Sequence, residues 1–236
     1  MNEPDVMVYL MTGFLDSGKT GFLKFTLKQD YFQIDGKTLL ILCEDGEDEY
    51  DAMEMLRYGV VIERLEDREE LTEEYLAELD RKHEPDRVVI EYNGMWKVSD
   101  FENMKLPKGW GIEQKITTVD ASTFQTYLTN LKPLFVEMVR GAEMVLFNRC
   151  EDIKPLAGYR RSVKVVSPQA EVIFEDEQGE VENIFEDGQW AILEWKDPLG
   201  LRGCGFFHVV NEKILFQRGY WDKLSFLKQH NLPVKE

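Results

Sequence analysis

Gly13-Phe14-Leu15-Asp16-Ser17-Gly18-Lys19-Thr20 fits the spacing G-x-x-x-x-G-K-[ST]. On its amino side, Val6-Met7-Val8-Tyr9-Leu10-Met11 is short, apolar and β-prone, the pattern of a buried strand. On its carboxyl side, Phe22, Leu23, Phe25, Thr26 and Leu27 fall at helical spacing, so a helix is predicted to begin near Gly18. A strand, a glycine-bearing loop and a helix N-terminus together aim several backbone N–H groups at one point, which suits a phosphate. In that arrangement Gly13, Asp16, Ser17, Gly18, Lys19, Thr20 and Gly21 line the phosphates. Lys19 adds a full positive charge toward the β/γ-phosphates, and the Thr20 hydroxyl is a ligand for Mg²⁺. The bland alternative is a glycine turn opening an ordinary helix; the strand–loop–helix context favours the phosphate loop.

Charge narrows the ligand class. The 236-residue chain carries a formal charge of −17, which argues against nucleic acid as a partner, since neutralising a phosphate backbone needs clustered Lys and Arg. An acidic chain that binds a polyanion must do so locally, with main-chain dipoles, one lysine and a divalent cation. The three cysteines are widely spaced and odd in number, without a disulfide framework or a C-x-x-C pair, so a reducing, cytoplasmic setting is expected. The acidic amino end runs straight into the first strand and does not read as a signal peptide. No apolar run approaches the roughly 20 residues a membrane-spanning helix needs.

Strand-like runs recur at Thr38–Cys43, Arg87–Glu91, Lys115–Val119 and Met144–Phe147, with a further one expected at Val163–Val166. Helical spacing appears at Leu71, Tyr75 and Leu79, ended by Pro85-Asp86, and again between Phe124 and Arg140. Continuous apolar strands alternating with helices predict an α/β fold, a P-loop NTPase with a mostly parallel sheet covered by helices on both faces. Ligands of such sheets sit at the carboxyl ends of the strands. Thr12, Glu44, Glu91, Asp120 and Asn148 close these runs and are expected to gather beside the loop. Each alone is an ordinary polar strand end.

The texture changes beyond about residue 170. Glu171–Asp187 is strongly acidic; Trp190–Trp195, Cys204–Val210 and Ile214–Arg218 read as strands, the last two flanking a turn at Asn211-Glu212-Lys213. Tyr220–Gln229 has the look of a final short helix. The expected organisation is a nucleotide-binding domain over 1–180 and a small antiparallel β appendage over 188–236. Trp190, Trp195, Phe206, Phe207, Phe216 and Trp221 would leave the appendage with an apolar patch, so burial or homo-oligomer formation is expected there.

In order and spacing these motifs resemble the CobW/HypB/UreG group of GTPases, CobW-like members above all, over roughly residues 5–175. Thr12–Thr20 looks like the family's phosphate loop and Cys43-Glu44-Asp45-Gly46-Glu47 like its Asn-Glu-Phe-Gly-Glu stretch. Glu91-Tyr92-Asn93-Gly94 fits its Glu-x-x-Gly motif, and Val119-Asp120-Ala121 its Val-Asp-Ala strand end. Asn148-Arg149-Cys150-Glu151 stands where the family has Asn-Lys-x-Asp, and Ser167-Pro168-Gln169-Ala170 resembles its Asn-Pro-x-Ala.

The resemblance implies Mg²⁺-dependent GTP binding, slow hydrolysis and service to a client protein, commonly a metalloenzyme. It places Thr20, Glu44 and Glu91 at the metal, Glu91 and Lys19 in catalysis, and Asn148, Arg149 and Glu151 at the base. Glu44 and Glu47 belong to the stretch that responds to the γ-phosphate. Three departures stand out. Gly21 replaces a usual Thr, and Arg149 and Glu151 replace Lys and Asp. No cysteine lies near Tyr58–Glu63, where the family's Cys-x-Cys-Cys would fall, so a soft thiolate site cannot be built there. The appendage resembles the last strands of a SnoaL-like domain, without that fold's helices.

Three functional readings stay open at this level: a GTPase switch or metallochaperone-like factor; a non-hydrolysing nucleotide-binding protein with degraded motifs; and an enzyme whose pocket forms in the appendage.

Overall fold

The computed structural model describes residues 4–44, 49–65, 67–150, 153, 155–175, 180–196, 201–210 and 213–221. Its contacts divide the chain into two compact units, Met1–Ile173 and Phe174–Glu236.

The first unit is built on a seven-stranded sheet. Its strands are β1 (Val6–Thr12), β2 (Thr38–Leu42), β3 (Val60–Arg64), β4 (Arg87–Glu91), β5 (Trp110–Asp120), β6 (Met144–Asn148) and β7 (Glu171–Phe174). They lie in the order β3-β2-β4-β1-β5-β6-β7, and β1 pairs in parallel with β4 and β5, β2 with β3 and β4, and β5 with β6. Every residue of β2 and β4 is buried, which requires cover on both faces and explains why these runs are continuously apolar. That cover comes from α1 (Lys19–Thr26), α2 (Ala52–Arg57), α3 (Glu73–His83), α4 (Val98–Glu102), α5 (Phe124–Asn130), α6 (Lys132–Val139) and α7 (Ala157–Val166). One side of the core packs Met11, Leu40, Leu42 and Val89 against Leu23, Leu27 and Met55. Elsewhere Phe124 meets Phe135 and Phe147 edge-on at 5.4 and 5.3 Å between ring centroids.

Local chemistry sets the helix limits. Thr72 caps α3 by accepting from the Tyr75 N–H at 3.1 Å, and the helix stops two residues before Pro85. The apolar spacing from Phe124 to Arg140 becomes two helices, interrupted at Leu131, with Pro133 in the first turn of the second.

Two expectations for this unit are revised. Val163–Val166 is the end of α7, not a strand: Tyr159, Val163 and Val166 turn inward at helical spacing while Val165 is 78% exposed. A four-residue apolar run cannot by itself distinguish the two periods. Conversely β3 lies between the acidic residues that follow β2 and the helical spacing at Leu71–Leu79, where no strand was expected, although Val60-Val61-Ile62 is a β-branched run.

The second unit is a four-stranded antiparallel sheet, β11-β10-β9-β8, made of β8 (Glu180–Asp187), β9 (Trp190–Lys196), β10 (Arg202–Val210) and β11 (Lys213–Trp221). It has four strands where three were expected, because the acidic residues of Glu180–Asp187 mask an outer strand. Tyr220 and Trp221 end β11 and do not open a helix; the rest of the expected helix, and Asn211-Glu212 of the expected turn, lie outside the described residues. The apolar side chains are partly exposed, Trp190 at 46% and Phe216 at 39%. We propose that the two units are separate domains, divided at the end of β7.

Candidate functional site

Parallel register brings the polar strand ends together. Glu91 pairs with both Met11 and Leu42, and Asp120 with Asn148, so the carboxyl ends of β2, β4, β1, β5 and β6 form one rim. Residues 13–18 cross this rim between β1 and α1.

Neighbours on both sides pin the loop. The Ser17 and Thr118 hydroxyls lie 2.8 Å apart, and the Asn148 amide Nδ2 donates to the Ser17 carbonyl at 2.8 Å. Gly18, at φ +90°, opens α1 in the left-handed region that favours glycine, and a Cβ there would lie 2.3 Å from Asn148 Nδ2. Gly94 backs the loop so closely that a Cβ on it would meet Gly13 O at 2.6 Å and Leu15 N at 2.8 Å. At Gly21 a Cβ would meet nothing within 4 Å, so the missing threonine is not excluded by crowding. Asp16 (φ 58°) and Arg149 (φ 52°) are left-handed without being glycine, and the Arg149 guanidinium donates to the Asp16 carbonyl at 2.7 Å. Two uncommon backbone conformations thus face each other across the rim.

The charged groups are buried beside this loop. Lys19 is 3% exposed; its ammonium donates to the Gly13 and Phe14 carbonyls at 2.9 and 3.0 Å and to Glu44 Oε1 at 2.8 Å. Glu44 Oε2 accepts from the Gly94 N–H at 2.7 Å. Glu91, also 3% exposed, accepts from the Thr20 hydroxyl at 2.6 Å on Oε1 and from the Tyr50 hydroxyl at 2.6 Å on Oε2. Burial pushes the Glu91 carboxyl above the usual range, with the two hydroxyls and Lys19 pulling the other way. The site therefore holds two carboxylates with different partners: Glu44 on the lysine and a main-chain amide, Glu91 on two hydroxyls.

At the expected base-reading end, Asn148 Oδ1 is buried without a hydrogen-bond partner. A buried polar atom left unpaired is costly and calls for an acceptor role. Arg149 bridges Asp120 Oδ2 at 2.6 Å as well as Asp16. Burial raises the Asp120 carboxyl, but hydrogen bonds from Ser122 and Arg149 outweigh this and hold it low. Glu47 and Glu151 lie outside the described residues.

Tyr50 is the participant that sequence reasoning missed. It follows the acidic stretch and precedes Asp51, the N-cap of α2, with no local motif to single it out; only the tertiary fold brings it to Glu91. Tyr50→Phe leaves Glu91 Oε2 short of a buried donor, so a loss of about 1–3 kcal/mol in urea-unfolding stability is expected.

Among the described residues no group of three or more His, Cys, Asp or Glu is arranged to hold a metal ion. Glu63 accepts from Lys82 and His83 at 2.7 and 2.6 Å on the same oxygen. His208 stacks on Trp190 at 4.6 Å, and His230 is outside the described residues. Burial, then the charges of Glu91 and Glu44, push the Cys43 thiol far up, which makes it a poor thiolate. In the second unit an open groove of about 640 Å³ is lined by Glu182, Asn183, Glu194, Arg202, Cys204 and Tyr220. Its Arg202 grips Glu182 at 2.8 Å. No helix of the described chain is long and apolar enough to cross a membrane.

The family model described as CobW/HypB/UreG, nucleotide-binding domain, matches residues 7–174. Among solved structures, the Zn(II)-bound YjiA GTPase from E. coli is similar at 18% identity and a TM-score of 0.55, over 94% of this chain and 90% of that one. The hydrogenase maturation factor HypB from Archaeoglobus fulgidus is 16% identical over 72% of this chain and 81% of its own, with a TM-score of 0.48. At such identities the YjiA likeness speaks for the fold alone. No curated protein matches the chain.

Proposed function

Because the chain belongs to the CobW/HypB/UreG family, we propose that it binds GTP with Mg²⁺, hydrolyses it slowly and acts as a cytoplasmic switch or metallochaperone-like factor on a client protein. The supporting observation is the phosphate loop. The Lys19 ammonium folds over two loop carbonyls at the mouth of a buried strand–loop–helix junction. Backbone N–H groups at the start of α1 and one ammonium suit a triphosphate tail.

Thr20 and Glu91 fit a magnesium ion: both present hard oxygens, and those oxygens lie 2.6 Å apart. Bound there, the ion would offset phosphate charge. The chain's own groups would do the rest. Lys19 stabilises charge on the phosphates, and Glu91, its carboxyl raised by burial, is suited to orient or polarise a water. Asn148 offers its unpartnered Oδ1 to a base, with Arg149 and Glu151 as further base contacts.

The test is calorimetry of GTP, GDP and ATP with and without Mg²⁺. GTP binding that strengthens with Mg²⁺ and exceeds ATP binding is expected; no heat with any nucleotide would remove the reading. A non-hydrolysing nucleotide-binding protein with degraded base and metal motifs is the second reading; at the base motif, Arg149 is tied to Asp120 and Asp16. Tight GTP binding without phosphate release in a single-turnover assay would select it.

A further inference from the structure

The Glu44 carboxylate takes donors from two separate elements, one on each oxygen. Oε1 accepts from Lys19 at the start of α1, and Oε2 accepts from the Gly94 N–H in the turn after β4. The Lys19 and Glu44 side chains are only 2% and 9% exposed, so this is a desolvated, charge-assisted grip and not a solvated surface pair. A loop lysine and an opposing main-chain amide, converging on one small anion, make a set that a phosphoryl group satisfies with the same oxygen chemistry. The backbone leading to Glu44 is fixed: the Cys43 N–H donates to the Glu91 carbonyl at 3.0 Å, and Asn93 Nδ2 donates to the Cys43 carbonyl at 3.1 Å. The grip thus sits beside the loop at the end of a strand that cannot slide away.

We infer that the Glu44 carboxylate holds the place of the terminal phosphate of a nucleoside triphosphate, and so sets how strongly the protein distinguishes triphosphate from diphosphate. The inference rests on the nucleotide reading above. A triphosphate must displace Glu44 from Lys19 and Gly94, whereas a diphosphate leaves the carboxylate in place. Glu44 therefore works against the triphosphate alone.

The experiment measures GTP and GDP affinities of the full chain by calorimetry, for wild type, Glu44→Gln and Glu44→Ala, in Mg²⁺ and in EDTA. Circular dichroism melts establish that each variant is folded. Both variants are expected to bind GTP about tenfold more tightly (about 1.4 kcal/mol), with GDP affinity changed by less than about threefold. An unchanged GTP-to-GDP affinity ratio overturns the inference while leaving nucleotide binding standing. So does a loss of GTP affinity seen only in Mg²⁺, which would make Glu44 a metal ligand. A wild-type chain that binds neither nucleotide overturns the nucleotide reading and this inference with it. Glu44→Ala guards against a glutamine amide that reproduces one of the two contacts.

Discussion

Lys19→Ala is expected to lower GTP affinity by at least about 100-fold, equivalent to about 2.7 kcal/mol, measured by calorimetry against wild type. The ammonium reaches the Gly13 and Phe14 carbonyls from inside the loop, and a charge-assisted bond to a phosphate has no substitute from a methyl group. The same change should weaken the fold. Glu44 would keep the Gly94 N–H but lose its buried counter-charge, and breaking one partner of a buried pair costs about 3–5 kcal/mol. These two effects separate cleanly. In the double variant Lys19→Ala/Glu44→Gln the stranded charge is gone, so the urea midpoint is expected to recover most of its loss, while GTP affinity regains no more than the roughly tenfold that removing Glu44 gives by itself. Recovery of GTP binding to the wild-type level in the double variant would mean that the lysine serves only to neutralise Glu44.

Gly94→Ala should be nearly as damaging, for a steric reason. The added Cβ would meet Gly13 O at 2.6 Å, and Leu15 N and Phe14 C at 2.8 Å. All three are backbone atoms of the phosphate loop, which cannot rotate out of the way as a side chain can. Overpacking at such a contact costs about 1–3 kcal/mol, and the displaced backbone belongs to the loop whose N–H groups would receive the phosphates. The expected result is a lower urea midpoint together with GTP affinity reduced by about tenfold or more, on the ground that small misplacements of a positioning loop are amplified. Gly21→Ala is the matched control, since its Cβ meets nothing within 4 Å. If Gly94→Ala binds GTP as wild type does, the turn after β4 does not shape the phosphate site.

The parts of the fold that were legible share a cause. β1, β2, β4 and β6 are short apolar runs, and all four sit inside the sheet, where burial leaves an apolar pattern. The outer elements were not legible, because an edge is only partly buried and carries mixed chemistry. β3 hid its three β-branched residues behind an acidic segment, β8 hid among glutamates, and the apolar end of α7 imitated a strand.

The candidate site divides the same way. Lys19, Thr20 and the glycines around them are neighbours along the chain, so their spacing alone specified a strand–loop–helix phosphate cradle and, with the later motifs, the family. Pairing across the fold had no such trace. That Glu44 faces Lys19 and Gly94, that Tyr50 joins Thr20 on Glu91, and that Arg149 ties Asp16 to Asp120 follow from parallel register. Register aligns strand ends separated by tens of residues, and it is set by the packing of the whole sheet, not by any local segment.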